Sequence, residues 1–200
     1  MTINGRILLA LASLSLLYTG CGGDAAERDT APAPSAATAA PFAETDTVMT
    51  ERLECVDRVE GYSVAYPARW QTNTGEVLGP CSIFHPDPFE IPRDSEMPVE
   101  LAVTIGFENM PFAELTGEMP GRREISRERT TVDGRAAVRM VSESTGDGLH
   151  ERDLRAYQYF VDLGDETMVA TTYDAGEPTF ERRRRVLDAM MRSFDFRQPG

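Results

Sequence analysis

The sequence predicts an α+β layered domain, in which antiparallel strands form a sheet and one long helix towards its C-terminal end covers it. Three observations carry this. Val99, Leu101, Val103, Ile105 and Phe107 alternate with smaller or polar residues, so one face of a strand is apolar. Asp133-Gly134 and Gly164-Asp165 sit between alternating runs, as tight turns between antiparallel strands do. Phe180, Leu187, Met190, Met191 and Phe194 recur at a helical period, which gives a segment with one apolar stripe to bury.

Ahead of this domain lies a stretch with a different composition. Arg6 gives a positive head, Ile7 to Leu17 is uncharged and apolar, and Tyr18-Thr19-Gly20-Cys21 closes the run with small residues before a cysteine. The apolar run is short of the roughly 20 residues that a membrane-spanning helix needs, which favours a cleaved export signal over residues 1–20. The stretch resembles the signal of bacterial lipoproteins, with Thr19, Gly20 and Cys21 matching and Tyr18 standing where an aliphatic residue is usual. The resemblance implies that Cys21 becomes the first residue and carries a diacylglyceryl group with palmitate-type chains. An ordinary secretory signal, with Cys21 incidental, is the alternative. Two acyl chains hold firmly, because each buried methylene contributes about 0.8 kcal/mol.

Removal of the signal leaves about 180 residues, enough for one domain and a tail. The net charge of −13 argues against nucleic acid or an anionic membrane face as the main partner, since phosphate binding needs clustered positive charge. All 20 basic residues are arginine, which removes lysine Schiff-base and lysine general-base chemistry. Residues 21–50 contain Pro32, Pro34 and Pro41 among Ala, Thr, Asp and Glu, with Phe42, Val48 and Met49 the large apolar side chains. Such a segment cannot offset its ordering entropy by burial, so it is expected to be a disordered tether with ends on the order of 30 Å apart.

Residues 51–200 form the expected globular domain. Leu53, Cys55 and Val59 suggest a first strand; Tyr62, Val64 and Tyr66 form a second that ends at Pro67, and Trp70 packs beneath it. Cys81 to Phe84 reads as a short buried strand, and His85 to Pro98, with prolines at 86, 88, 92 and 98, as a long surface loop. The Val99–Phe107 strand follows, then a short helix from Phe112 to Glu118 behind Pro111. Arg122 to Thr131 and Arg135 to Ser144 flank the Asp133-Gly134 turn. Leu154 to Leu163 and Met168 to Tyr173 then complete a meander with the Arg135 strand. Pro178 to Ser193 is the helix, and Phe194-Asp195-Phe196 a terminal edge.

With Cys21 lipidated, Cys55 and Cys81 remain as a pair in an exported chain, and a disulfide is expected; two buried free thiols are the alternative. In the chain-entropy account such a loop contributes about 3.5 kcal/mol.

The Gly61-Tyr62-Ser63-Val64 run with Tyr66-Pro67 and Trp70, the Thr131 to Ala137 turn, and the Phe180-to-Met191 helix together resemble bacterial lipoproteins of the PsbP-like superfamily. That superfamily includes the extrinsic PsbP subunit of photosystem II and a eukaryotic Ran release factor. The resemblance spans about residues 52–196. It implies an antiparallel sheet sandwiched by helices, with protein binding near membranes and no catalysis, and it supplies no catalytic residue.

Few residues suggest chemistry. His85 with Asp87 and Glu90 has the elements of a metal or acid–base site, but flanking prolines explain them as a loop, and two histidines cannot build a zinc spacing. His150 beside Glu151 and Asp153 reads as solvated loop. Cys55 or Cys81 as nucleophile would need a histidine partner. No cofactor motif is present. Arg182 to Arg185 concentrates positive charge, with Arg183 and Arg184 bordering the apolar stripe and Arg182 and Arg185 pointing away. Ion pairs and packed aliphatic stems explain the run in bland terms; docking of an acidic partner or headgroup through Arg182 and Arg185 is the functional reading. Tyr157 and Tyr159 are expected in the core. The function expected is thus that of a membrane-tethered, extracytoplasmic, non-catalytic binding or assembly module with an unidentified protein partner. The alternatives are a carrier of an apolar or glycolipid ligand, in a pocket lined by Tyr157, Met140 and Phe160, and an unrecognised hydrolase.

Overall fold

The structure is a computed structural model, and it describes residues 49–91, 100–148 and 150–196. The signal, Cys21 and nearly all of the tether lie outside the described residues, as does part of the proline-rich loop. Twelve elements are described: β1 Arg52–Asp57, β2 Tyr62–Pro67, β3 Gln71–Thr72, β4 Ile83–His85, β5 Val103–Glu108, α1 Phe112–Leu115, β6 Arg122–Val132, β7 Arg135–Ser144, β8 Arg155–Asp162, β9 Thr167–Tyr173, α2 Phe180–Arg192 and β10 Asp195–Phe196. They form two antiparallel sheets. The smaller has the order β1-β2-β10 and the larger β3-β4-β5-β9-β8-β7-β6.

The predicted meander is present: β7, β8 and β9 pair antiparallel, with Val138 opposite Phe160 and Phe160 opposite Val169. Asp133 and Gly134 both take positive φ, 47° and 72°, the backbone that closes a two-residue hairpin with the twist of its strands. Strand alternation then divides the side chains of the large sheet. On one face Ala137, Tyr157, Tyr159, Val161, Met168 and Ala170 pack with Val186, Leu187, Met190 and Met191 of α2 and with Tyr62 and Val64 of β2. On the other, Val138, Met140 and Phe160 pack with Leu115 of α1, Met110 and Phe112.

Two expectations for the helices are corrected. The C-terminal helix is of ordinary length at 13 residues. It covers one face of the sheet, while the other carries only the single turn of α1, so the described residues do not form a sheet sandwiched between helices. The turn ends where the Gly117 amide bonds three residues back to Glu114 instead of four, after the Thr116 amide and hydroxyl have both donated to the Phe112 carbonyl. A further difference lies at β5, which begins at Val103, so that Leu101 precedes it; Val99 lies outside the described residues. The Ala102 amide donates to Nδ1 of His85 at 3.1 Å, so that residue is tied to a side chain instead of a neighbouring strand.

The alternating Tyr62, Val64 and Tyr66 were legible as a strand, but their place in a separate sheet was not. That sheet is held to the larger one by the Cys55–Cys81 disulfide, S–S 1.94 Å, which joins β1 to the residue two before β4. The Tyr62 hydroxyl donates to the Cys81 carbonyl at 3.0 Å, and its ring stacks on Phe194 with centroids 4.9 Å apart. Trp70 is buried in the same core, as expected.

Candidate functional site

Four consecutive arginines on a helix must point in four directions, because each residue turns the side chain by about 100°. The structure assigns each a different environment. Arg183 is 0% exposed and donates to the carbonyls of Tyr173 at 3.2 Å and Glu177 at 2.9 Å. Burial pulls its guanidinium below the usual arginine value, against the opposing pull of Glu177, Asp174 and Glu100. Arg184 lies over the Tyr157 ring at 4.6 Å and pairs with Glu181 at 3.0 Å. Arg182 and Arg185 are exposed, as predicted.

The surroundings of Arg182 were not predicted. It rims a cleft of about 330 Å³ together with Glu51, Pro67, Arg69, Trp70 and Val186. The turn after β2 supplies Arg69 and Trp70, since Trp70 N–H closes onto the Pro67 carbonyl at 2.9 Å. Two arginines from separate elements therefore flank one opening in a strongly acidic chain. No sequence signal joins Arg69 to Arg182, because only the packing of α2 on β2 brings them near.

Tyr157 and Tyr159 are core residues with a polar end. Both hydroxyls donate to Oδ1 of Asp188 on α2, Tyr159 at 2.7 Å, and Arg139 lies 3.8 Å from the same oxygen. Burial first, then the Asp188 carboxylate, raises the Tyr159 hydroxyl to about 12, and Tyr157 is raised further by burial and the same carboxylate. These tyrosines do not form a ligand pocket with Met140 and Phe160, which point to the opposite face of the sheet.

His85 accepts the Ala102 amide at Nδ1, and burial lowers it below the ordinary histidine value, helped by Arg183 and opposed by Asp87. Asp87 and Glu90 are exposed, and the described residues hold no group of three or more His, Cys, Asp or Glu placed to bind a metal. Cys55 and Cys81 are bonded to each other and are not nucleophiles in this state.

His150 differs from its reading as solvated loop. Its Nε2 is 3.0 Å from the Tyr173 hydroxyl, and both line a cleft of about 310 Å³ with Arg122, Ser142, Leu154 and Gln158 on the α1 side of the large sheet. Tyr173 lies 23 residues away, and only the β8–β9 pairing places it there.

No family model matches the chain, and no curated protein matches it. Among solved structures it is similar to the solution structure of cyanobacterial PsbP (CyanoP) from Synechocystis, with 12% identity over 74% of this chain and 94% of that one and a TM-score of 0.43. It is also similar to the crystal structure of PA94, a protein of unknown function from Pseudomonas aeruginosa, with 15% identity over 62% of this chain and 82% of that one and a TM-score of 0.30. Neither likeness is close enough to place the chain in a family.

Proposed function

We propose that the protein is a lipid-anchored extracytoplasmic module of the PsbP-like kind. It holds an acidic partner protein at the cell membrane through Arg182 and Arg185 and performs no chemistry itself. The observation that carries the reading is the division of labour on α2. Arg183 and Arg184 are used up in packing and pairing, while Arg182 and Arg185 are exposed and, among the described residues, make no ion pair. Opposite charge on a partner steers association to exposed cations of this kind. The anchor at Cys21 supplies the location, and the segment before residue 51 supplies reach.

The test is capture of neighbours in intact cells with a photoreactive crosslinker, comparing the native chain with Arg182→Glu plus Arg185→Glu. Recovery of the specific partner should fall at least fivefold while the melting temperature stays the same, because both side chains are exposed. Equal recovery from the two would end the reading. A second reading, a carrier of an apolar or glycolipid ligand, is favoured by the His150–Tyr173 cleft of about 310 Å³, the lower end of the range for small-molecule sites. A lipid that co-purifies in place of a protein would transfer the function to that cleft.

A further inference from the structure

β6 is eleven residues long and ends the large sheet, with β7 on one side and no strand on the other among the described residues. Seven consecutive residues of it, Arg123 to Arg129, are exposed, including Ile125 at 48%. An open edge of this length is a template for another strand, and proteins usually blunt such edges with charge and with bulges. β6 has both: an irregularity between Glu124 and Ser126, and the charged run Arg-Arg-Glu-Ile-Ser-Arg-Glu-Arg.

The irregularity changes which charges share a face. In a regular strand, residues three apart point to opposite sides. Here one residue is added, so Glu124, opposite Ser142, and Arg127, opposite Met140, lie on the same side, and they form an ion pair at 2.7 Å. By the same step Arg123, opposite Glu143, and Glu128, opposite Arg139, share the other side, and each pairs with its β7 neighbour.

We infer that β6 is the contact between two copies of this chain, paired antiparallel about a two-fold axis at Ile125 and Ser126. In that register Arg123 faces Glu128 of the second copy, and Glu124 faces its Arg127. The two bulges oppose each other, so facing residues lie on matching sides. On one face, charges of alternating sign then run Glu143, Arg123, and Glu128 and Arg139 of the second copy. Each exposed Ile125 is covered at the axis. Registers centred on Arg127, Glu128 or Arg129 set that residue against its own copy, and like charges directly opposite are unfavourable. Arg122 would face Arg129, but its guanidinium is turned inward onto the carbonyls of Leu115 and Gly117, both at 3.0 Å. The same charges that oppose unrelated edges, and the registers centred on Arg127, Glu128 or Arg129, therefore favour this register of the chain with itself. The contact is separate from α2 and does not rest on the docking reading above.

The experiment uses the full chain in detergent micelles at matched density, with self-association read by sedimentation equilibrium. The native chain should form a dimer. Glu124→Arg alone and Arg127→Glu alone each place like charges opposite twice across the axis, and each should weaken the dimer by about tenfold or more. Mixing these two variants should restore association as a heterodimer, and so should both substitutions in one chain. Circular dichroism spectra matching that of the native chain show that each variant is folded, and the double substitution, which restores the pair within each chain as well as across the axis, separates the contact from a folding defect. A monomeric native chain, single variants that associate like the native chain, or a mixture that stays monomeric would each overturn the proposal.

Discussion

Tyr159 shows how one side chain serves packing and electrostatics together. Its ring is buried against α2, and its hydroxyl donates to Asp188, so ionising it would set two negative oxygens side by side in a dry place. Its proton is held up to about 12, against an ordinary value of 10.0. The folded chain thus keeps a proton that the unfolded chain releases earlier. The resulting stability is complete below pH 10.0 and is lost as pH rises from there towards about 12. In a denaturant series between pH 9 and pH 12, the native chain should lose stability steeply, and Tyr159→Phe should lose less over the same range. Equal slopes would refute this account.

The strands and the helix were legible where a local rule leaves little choice. The Asp133-Gly134 turn is one such place, since only residues tolerant of positive φ close a two-residue hairpin with the right twist. Gly134→Ala meets no atom within 4 Å, so its cost is purely conformational. It should be about 1 kcal/mol, read as a melting temperature lower by about 3 °C with an unchanged circular dichroism spectrum. No loss would mean that the turn carries no strain. The apolar period of α2 was equally clear, and so was the exposure of Arg182 and Arg185. The length of α1 was not, because it ends where the Gly117 amide closes onto Glu114, a switch that no local pattern marks. Neither was the start of β5, which depends on His85 holding the Ala102 amide seventeen residues further on. The cleft beside Arg69 and the contact of His150 with Tyr173 were illegible for the same reason. Each joins residues through strand pairing or helix docking, and periodicity describes one segment at a time.

At the scale of the molecule, two sheets share one core, and a covalent bond ties them. The Cys55–Cys81 crosslink spans 26 positions, and the chain-entropy account gives it a contribution of about 3.5 kcal/mol. Cys55→Ser with Cys81→Ser should therefore lower the urea midpoint of the full chain by an amount equivalent to about 2–4 kcal/mol, and reductant should do the same to the native chain. A midpoint that does not move would show that packing alone holds the sheets together. The charge plan works at this scale as well. Buried Arg183 gives both terminal nitrogens to carbonyls, half-buried Arg184 meets an aromatic ring and a carboxylate, Arg123 and Arg127 of β6 pair with carboxylates, and Arg182 and Arg185 are exposed on α2.

β2 takes its second neighbour, β10, from residues 195–196, with Ser63 opposite Asp195 across about 130 positions of sequence. A chain emerging in order from a narrow channel therefore offers Tyr62 and Ser63 one incomplete edge until almost all of the domain has passed through. The ring stack of Phe194 on Tyr62 closes at the same late moment. Such an architecture leaves the small sheet unfinished until its last strand arrives, so its completion waits on the very end of the described chain.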